Sequence, residues 1–296
     1  MKRLTLLAGA LCALLGPFSQ AAEKIHVLTT FAPIYCFTKN VAGDAADVQM
    51  LLPPDTGPHE YAFRPSDLRK IADADVIVEN GFGIETAVDH GLQGGMKQGA
   101  LRIVASRGIE PLANPPDAGG KPADAEEGPN PHVWLDPELA IKEVENIRDG
   151  LMQRDAANAE TYLANANAYC TKLRNLDDEI GRATVSMKNK RLLPFHDSFP
   201  YFAARYGFEI VGTVEAFPGK EPTARDIKRL RDIIQERHVT ALFSEPQYSA
   251  KILESLSRDL QLPIVVIDPM ETGEPSADFY ETVMRKNLQA LVKALK

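Results

Sequence analysis

The sequence predicts an α/β protein with two lobes, each a mostly parallel sheet flanked by helices, joined by one long rigid connecting helix. Short β-branched runs alternate with segments of helical periodicity in both halves of the chain. One uninterrupted helical pattern lies between the two halves. The length of 296 residues is enough for about two domains, each with its own core.

The alternation of strands and helices predicts the architecture of each lobe, because such strands form parallel sheets covered on both faces. The predicted strands are 25–30, 48–52, 76–79 and 101–105 in the first half and 191–195, 208–214, 239–244 and 264–267 in the second. The predicted helices between them are 65–74, 84–97, 222–237 and 249–260. We therefore expect an N-terminal lobe over residues 22–154 and a C-terminal lobe over residues 188–296.

The predicted connecting helix covers residues 155–187, which contain no proline and carry one apolar stripe. Its members are spaced alternately four and three residues apart, as on one helix face; they are Tyr162, Ala166, Tyr169, Leu173, Leu176, Ile180, Ala183 and Met187. Such a helix spans about 50 Å, more than one lobe. The stripe could instead be the seam of a coiled-coil dimer, but alanine and tyrosine make a poor seam. We therefore expect one helix packed along both lobes of a monomer.

The first 21 residues have the three-part pattern of a secretory signal peptide. Lys2 and Arg3 precede the apolar run 4–15, and small residues surround Gln20 before a polar start. Twelve residues of helix span about 18 Å, too short for a hydrocarbon core of about 30 Å, so a membrane anchor is disfavoured. We expect cleavage after Ala21 and a mature protein in the periplasm.

The charge balance narrows the class of partner. The chain has 33 Lys and Arg against 41 Asp and Glu, a net charge of −8. Binding to a phosphate backbone requires a positive surface, so nucleic acid is excluded as a partner on this ground.

Two features each allow two interpretations. Cys36 and Cys170, which remain after signal removal, could form a disulfide in an oxidising compartment or stay separate buried thiols. Segment 115–131, rich in Pro, Gly and acidic residues, is predicted to be a solvated insertion. Alternatively, its acidic residues could collect cations weakly near a site.

Three of the six histidines share one setting. His59 follows a predicted strand through a proline-rich loop, His132 lies in an Asn-Pro-His segment, and His196 directly follows a predicted strand. Asp268 directly follows the last predicted strand. Because open α/β sheets bind ligands at the carboxyl ends of their strands, we expect these four side chains to meet in the cleft, two from each lobe. Three imidazoles and one carboxylate suit tetrahedral Zn²⁺.

Three acidic neighbours have more than one possible role. Glu60 could bind the metal, but a solvated position or one that orients His59 is favoured. Asp136 could accept a hydrogen bond from the second nitrogen of a ligand histidine, or cap the helix that begins after it. Glu245 leaves a predicted strand towards the cleft, where we expect it to contact a ligand rather than the metal.

The segments around these residues resemble the ligand loops of the metal-specific solute-binding proteins of ABC importers, the cluster A-I family that serves zinc and manganese uptake. The resemblance rests on segments 27–44, 59–67, 130–137, 196–202 and 267–269. It implies the two-lobe fold and the ligands His59, His132, His196 and Asp268. A glutamate at the third ligand position is typical of manganese-type members, so His196 resembles the zinc-type branch. Many zinc-type members also carry a histidine-rich loop before the second ligand, which segment 115–131 lacks.

The resemblance implies a carrier rather than an enzyme, with Zn²⁺ as its transported ligand and an ABC permease of the inner membrane, with its ATPase, as partner. A manganese or iron carrier of the same family is the first alternative. A secreted zinc hydrolase is the second. Catalytic zinc keeps one position open, whereas four convergent side chains would fill it, and neither an HExxH nor a GxSxG motif is present in the sequence.

Overall fold

The computed structural model describes residues 23–114, 128–215 and 222–295. The predicted signal peptide, residues 1–21, and residues 115–127 of the predicted acidic loop lie outside the described residues. Within the described ranges, no helix combines the length and the apolar character needed to cross a membrane.

The N-terminal half forms one parallel sheet of four strands in the order β2-β1-β3-β4. The strands are β1 (Ile25–Thr29), β2 (Ala46–Met50), β3 (Val76–Glu79) and β4 (Leu101–Val104). The helices are α1 (Ala32–Ala42), α2 (Pro65–Asp73), α3 (Thr86–Gly95) and α4 (Pro137–Arg154). All four residues of β3 are buried, as expected of a central strand with both faces covered.

The C-terminal half contains two parallel pairs, β5 (Arg191–Leu192) with β6 (Glu209–Ile210) and β7 (Leu242–Ser244) with β8 (Ile264–Val266). A backbone hydrogen bond of 3.4 Å from Phe243 on β7 to the carbonyl of Leu193, the residue after β5, connects the two pairs. The helices are α6 (Pro200–Tyr206), α7 (Ala224–Glu236), α8 (Lys251–Leu260) and α9 (Phe279–Ala294). Parallel sheets flanked by helices in both halves confirm the predicted fold class.

The connecting helix is α5 (Ala159–Thr184), a helix of 26 residues that spans about 39 Å. It is shorter than the predicted range 155–187, because Asp155 caps the end of α4, a 3₁₀ turn over Ala156–Asn158 precedes α5, and α5 ends at Thr184. The stripe is buried from Tyr162 to Ile180, as its spacing predicts. It packs against α1 and α4 of the first half and α9 of the second. The exact division of the chain at residues 155 and 187 stays a prediction.

Helix α9, which the sequence reasoning missed, returns to the N-terminal half. Tyr280 lies edge-on to Phe37 of α1, with ring centroids 5.0 Å apart. Its hydroxyl donates a 2.7 Å hydrogen bond to the carbonyl of Trp134. One continuous apolar core therefore includes residues of both halves on the side where α1, α5 and α9 meet.

The two described cysteines are separate buried thiols, which decides between the two interpretations of the sequence. Cys36 Sγ lies 3.5 Å from the hydroxyl of Tyr169 on α5. Burial raises the pKa of the Cys36 thiol to about 12. Such a thiol is protonated and unreactive at neutral pH.

Two carboxyl groups of the N-terminal half are buried, those of Glu85 and Glu143. Glu85 accepts hydrogen bonds from the backbone nitrogens of Asn80 and Gly81 and from the hydroxyl of Thr30. Glu143, on α4, is fully buried, and neither of its oxygens has a hydrogen-bond partner among the described residues. Burial raises the pKa of Glu85 to about 8 and that of Glu143 well above its usual value. The folded protein therefore holds protons that the unfolded chain releases.

We expect Glu143→Gln to stabilise the fold increasingly as the pH rises. The folded pKa of Glu143 lies above the unfolded value of about 4.3, so the native protein binds more protons and its stability falls as pH rises between the two values. Glutamine is neutral throughout, so the free energy of unfolding of the variant should exceed that of the wild type by more at about pH 8 than at about pH 5.5. Urea denaturation at both values measures this.

The matched control is Glu110→Gln, at an exposed position. Its free energy of unfolding should differ from that of the wild type by the same amount at both pH values. A Glu143→Gln difference that is constant with pH would contradict a proton held by Glu143 in the native state.

Candidate metal centre

Four side chains converge where the carboxyl ends of both sheets face each other. His59, His132, His196 and Glu271 each offer one ligand atom, and these atoms all lie within 4.8 Å of one another. Across the described part of the chain, this is the one group of three or more His, Cys, Asp or Glu residues so arranged.

Local structure fixes the first of these residues. His59 lies in the loop that leads from β2 to α2. Tyr61, two residues later, is buried and donates a hydrogen bond of 2.5 Å to Asp67 on α2. Asp67 also accepts from the backbone nitrogen of Arg64 and so caps the helix. The start of α2 thus anchors the end of the His59 loop.

The other three residues lie at the ends of other elements. His132 directly precedes the 3₁₀ turn Val133–Leu135 that leads into α4. His196 follows the extended chain after β5, and Glu271 follows β8 by a short turn. Ligands at the carboxyl ends of strands are the rule for open parallel sheets.

Five of the six distances between the ligand atoms are close to those of a tetrahedron, and the sixth, between the ligand nitrogens of His59 and His196, is at most 4.8 Å. His132 Nε2 lies 3.3 Å from Nε2 of both His59 and His196. Glu271 Oε1 lies 3.0 Å from Nε2 of His132 and of His196, and 3.5 Å from Nε2 of His59. A tetrahedral ion with bonds near 2.0–2.1 Å separates its ligand atoms by about 3.3–3.4 Å. The four atoms are therefore placed to surround one small ion.

Burial differs among the four side chains. Those of His196 and Glu271 are 0% exposed and that of His132 is 1% exposed, whereas that of His59 is 12% exposed. Solvent therefore reaches the group from the side of His59.

The ring of His196 is held by Glu245. His196 Nδ1 lies 2.6 Å from Glu245 Oε2, and Glu245 Oε1 accepts from the backbone nitrogen of the same histidine. Burial disfavours a charged ring, but the carboxylates of Glu245 and Glu271 outweigh it and hold the pKa of His196 well above its usual value. The contact to Nδ1 leaves Nε2 directed at the other ligand atoms, an arrangement common behind metal-binding histidines.

The ring of His132 is held by Asn130. Asn130 Oδ1 lies 3.0 Å from His132 Nδ1 and accepts from the backbone nitrogen of His132 at 3.1 Å. Burial lowers the pKa of His132 to about 3, so this ring is neutral. Burial would raise the pKa of Glu271, but His196 and His59 hold it well below its usual value. A neutral imidazole and an ionised carboxylate are the forms that ligate metal ions.

The three histidines lie together as the sequence predicts, but Asp268 does not join them. Its Oδ1 accepts a 2.7 Å hydrogen bond from the backbone nitrogen of Met270. Met270 has the left-handed φ of 66°, which turns the chain back after the strand. Glu271, three residues beyond Asp268, then enters the cleft. The placement of Asp268 is corrected, because a turn lies between the strand end and the carboxylate that reaches the group.

The structure also shows the contacts of the three acidic neighbours, Asp136, Glu60 and Glu245. Asp136 Oδ1 accepts from the backbone nitrogen of Glu138 and caps α4, and it is Asn130 that contacts His132. Glu60 is exposed and accepts from the hydroxyl of Tyr248. Glu245 contacts His196, as expected.

The sequence reasoning missed two residues of the site, Asn130 and Glu271. For Asn130 a signal existed, because an asparagine two residues before a histidine can accept from its backbone nitrogen in an Asx turn. For Glu271 the strand pattern contained no such signal, because the turn at Met270 depends on tertiary contacts. One of these is the 2.8 Å hydrogen bond from Trp134 Nε1 to the carbonyl of Pro269.

Known proteins resemble this chain over most of its length. The family model described as zinc-uptake complex component A, periplasmic (ZnuA), matches residues 27–294. The chain belongs to this family.

Individual relatives extend the comparison. The zinc-binding lipoprotein AdcA of Streptococcus pneumoniae is 34% identical over 303 residues, which cover 98% of this chain and 60% of AdcA. The Zn(II)-bound ZnuA-like domain of that AdcA superposes with a TM-score of 0.77 at 32% identity, covering 92% of this chain and 99% of the domain. The SBP FpvC of Pseudomonas aeruginosa in complex with Mn²⁺ gives a TM-score of 0.82 at 28% identity, covering 92% and 99%.

The chain spans about 60% of the length of the streptococcal AdcA proteins that it matches. The structural match covers the ZnuA-like domain, so the comparison concerns that part of AdcA.

Proposed function

We propose that this protein captures Zn²⁺ in the cleft between its two lobes and delivers it to an ABC-type permease. The observation that carries the proposal is the largely buried group of three imidazole nitrogens and one carboxylate oxygen, whose atoms all lie within 4.8 Å of one another. Zn²⁺ accepts such mixed nitrogen and oxygen ligands at about 2.0–2.2 Å. The ion is the transported ligand, held by His59, His132, His196 and Glu271.

A carrier suits this group better than a hydrolase. Catalytic zinc keeps one coordination position for water or substrate, with three protein ligands in the rest. Here a fourth protein atom, Glu271 Oε1, lies 3.5 Å or less from Nε2 of each histidine. Four protein ligands favour retention of the ion over chemistry at it.

The family and the predicted signal peptide support an extracytoplasmic location for this function. The carrier acts as a monomer after cleavage near Ala21. It meets the permease, with its ATPase, at the inner membrane. This placement rests on the sequence of the first 21 residues and on the periplasmic description of the family.

Manganese is the competing cargo, because a protein of similar fold, FpvC, has been solved with Mn²⁺. The donor set favours zinc here. Imidazole ligands suit zinc, whereas manganese prefers carboxylate, carbonyl and water oxygens. Three of the four candidate ligands are imidazoles, and His196 takes the position where the sequence comparison expects a glutamate in manganese-type proteins.

We expect the metal-free protein to bind one Zn²⁺ per chain and His196→Ala to weaken that binding by at least about 100-fold, because a ligand is lost at a fully buried position. Competition with a chromogenic chelator measures the affinity, and elemental analysis measures the stoichiometry. His26→Ala is the matched control, since His26 lies outside the group and contacts Asp47. Unchanged zinc affinity in His196→Ala would refute the site.

A second pair of variants separates the two carboxylates. Glu271→Gln should weaken zinc binding by about 10- to 100-fold, because a neutral amide replaces the one anionic ligand. Asp268→Asn should change it by less than about threefold, since Asp268 contacts its own turn and not the other ligands. The reverse order of effects in a chelator titration would restore Asp268 as the fourth ligand.

Metal preference can be tested by competition. Zn²⁺ should displace Mn²⁺ from the wild-type protein at equal concentrations, because the ligand set is rich in nitrogen and Zn²⁺ exceeds Mn²⁺ in intrinsic affinity for such sites. Isothermal titration of the Mn²⁺-loaded protein with Zn²⁺ measures the displacement. Mn²⁺ that binds at least as tightly as Zn²⁺ would identify a manganese carrier.

A further inference from the structure

One short loop of the C-terminal half contacts two of the four candidate ligands and the opposite half of the chain. The loop follows β7 and runs from Glu245 to Tyr248. Glu245 holds His196, and Gln247 Nε2 lies 3.4 Å from Glu271 Oε2. The hydroxyl of Tyr248 donates a 2.8 Å hydrogen bond to Oε1 of Glu60, which lies in the N-terminal half beside His59. Two of the candidate ligands and the opposite lobe thus depend on three side chains of this loop.

The ring of Tyr248 has a fixed position. It stacks on Phe195 with ring centroids 5.1 Å apart and planes 14° apart, and it lies edge-on to His196 at 5.6 Å. A ring held on two sides can direct its hydroxyl to few partners. The hydrogen bond to Glu60 therefore restrains the exposed glutamate with little loss of conformational freedom on the tyrosine side.

The position of Glu60 depends on Gly57. Gly57 is buried, and a Cβ added there would lie 2.9 Å from Glu60 Oε2 and 3.5 Å from Glu271 Oε2. The carboxylate of Glu60 therefore lies against the backbone of the His59 loop, close to Glu271. This is the side of the group where His59 is 12% exposed while the other ligands are 1% exposed or less.

We infer that Tyr248 and Glu60 form a latch between the lobes that sets how long the metal stays bound. The inference rests on the proposed function. The latch lies on the side from which solvent reaches the ligands, so an ion that leaves past His59 requires the hydrogen bond to open. Both residues are positioning residues, since neither belongs to the four ligands.

Opening the latch has a consequence inside the site. Tyr248 is next to Gln247 and three residues from Glu245. A movement of this loop away from Glu60 therefore also moves Gln247 away from Glu271 and Glu245 away from His196. Ligands that lose these partners hold the metal less firmly. One surface movement, such as docking on the permease would produce, therefore loosens two metal ligands.

The experiment measures the rate at which zinc leaves the loaded protein for an excess of chelator, by stopped-flow. Tyr248→Phe removes the hydroxyl and keeps the ring. Glu60→Ala removes the acceptor, and Glu60→Gln keeps an amide oxygen as acceptor. Gly57→Ala adds a methyl group that displaces the flexible Glu60 carboxylate and removes neither latch partner. Tyr206→Phe is the matched control, because its hydroxyl also donates a 2.8 Å hydrogen bond to a carboxylate, that of Asp177, away from the site.

We expect Tyr248→Phe, Glu60→Ala and Gly57→Ala each to speed zinc release by about five- to tenfold, the net effect of one solvent-accessible hydrogen bond. Glu60→Gln should release zinc at a rate closer to the wild type, and Tyr206→Phe at the wild-type rate. The double variant Tyr248→Phe with Glu60→Ala should be no faster than either single variant, because both remove the same interaction.

Equal release rates for Tyr248→Phe and the wild type would overturn the latch, as would additive effects in the double variant. In either case the wild type still binds one zinc per chain, so the proposed function stands. A wild type that binds no zinc would refute the proposed function, and the latch with it.

Discussion

Glu271 Oε1 lies 3.0 Å from the Nε2 atoms of His132 and His196 and 3.5 Å from that of His59. These four polar side chains come from both halves of the chain, and three of them are almost completely removed from water. Burial of such groups is costly unless each has a partner. They are partners of one another, with Glu245 and Asn130 behind them. The same proximity would allow the four atoms to share one metal ion.

Buried contacts between the two halves of the chain support this group. Trp134 follows His132 by two residues, and its indole nitrogen donates to the carbonyl of Pro269, two residues before Glu271. The carbonyl of Trp134 accepts from Tyr280 on α9. His132 of one half and Glu271 of the other are thus tied to one buried aromatic side chain. The backbone nitrogen of Gly273 adds a 2.7 Å hydrogen bond to the carbonyl of Pro54 in the loop that leads to His59.

The fold class could be predicted because its signals are local. The alternation of β-branched and helical segments, and the stripe from Tyr162 to Ile180, depend on residues close in sequence. Boundaries were less accurate, since the C-cap of α4 and a 3₁₀ turn occupy the start of the range predicted for the long helix. Helix α9 was missed. Its apolar face is covered by α1 and α5, which are far away in the chain.

The sequence by itself determined the two α/β lobes, the long helix between them and the three histidines His59, His132 and His196. Each is visible from a strand pattern, a helical period or a residue placed at a strand end. Only the tertiary structure decided the fourth member of the group. Asp268 is at the strand end, but its carboxylate is used by its own turn, and the left-handed Met270 redirects the chain so that Glu271 reaches the histidines. That turn is held by Trp134, 135 residues away along the chain, so no local pattern could reveal it.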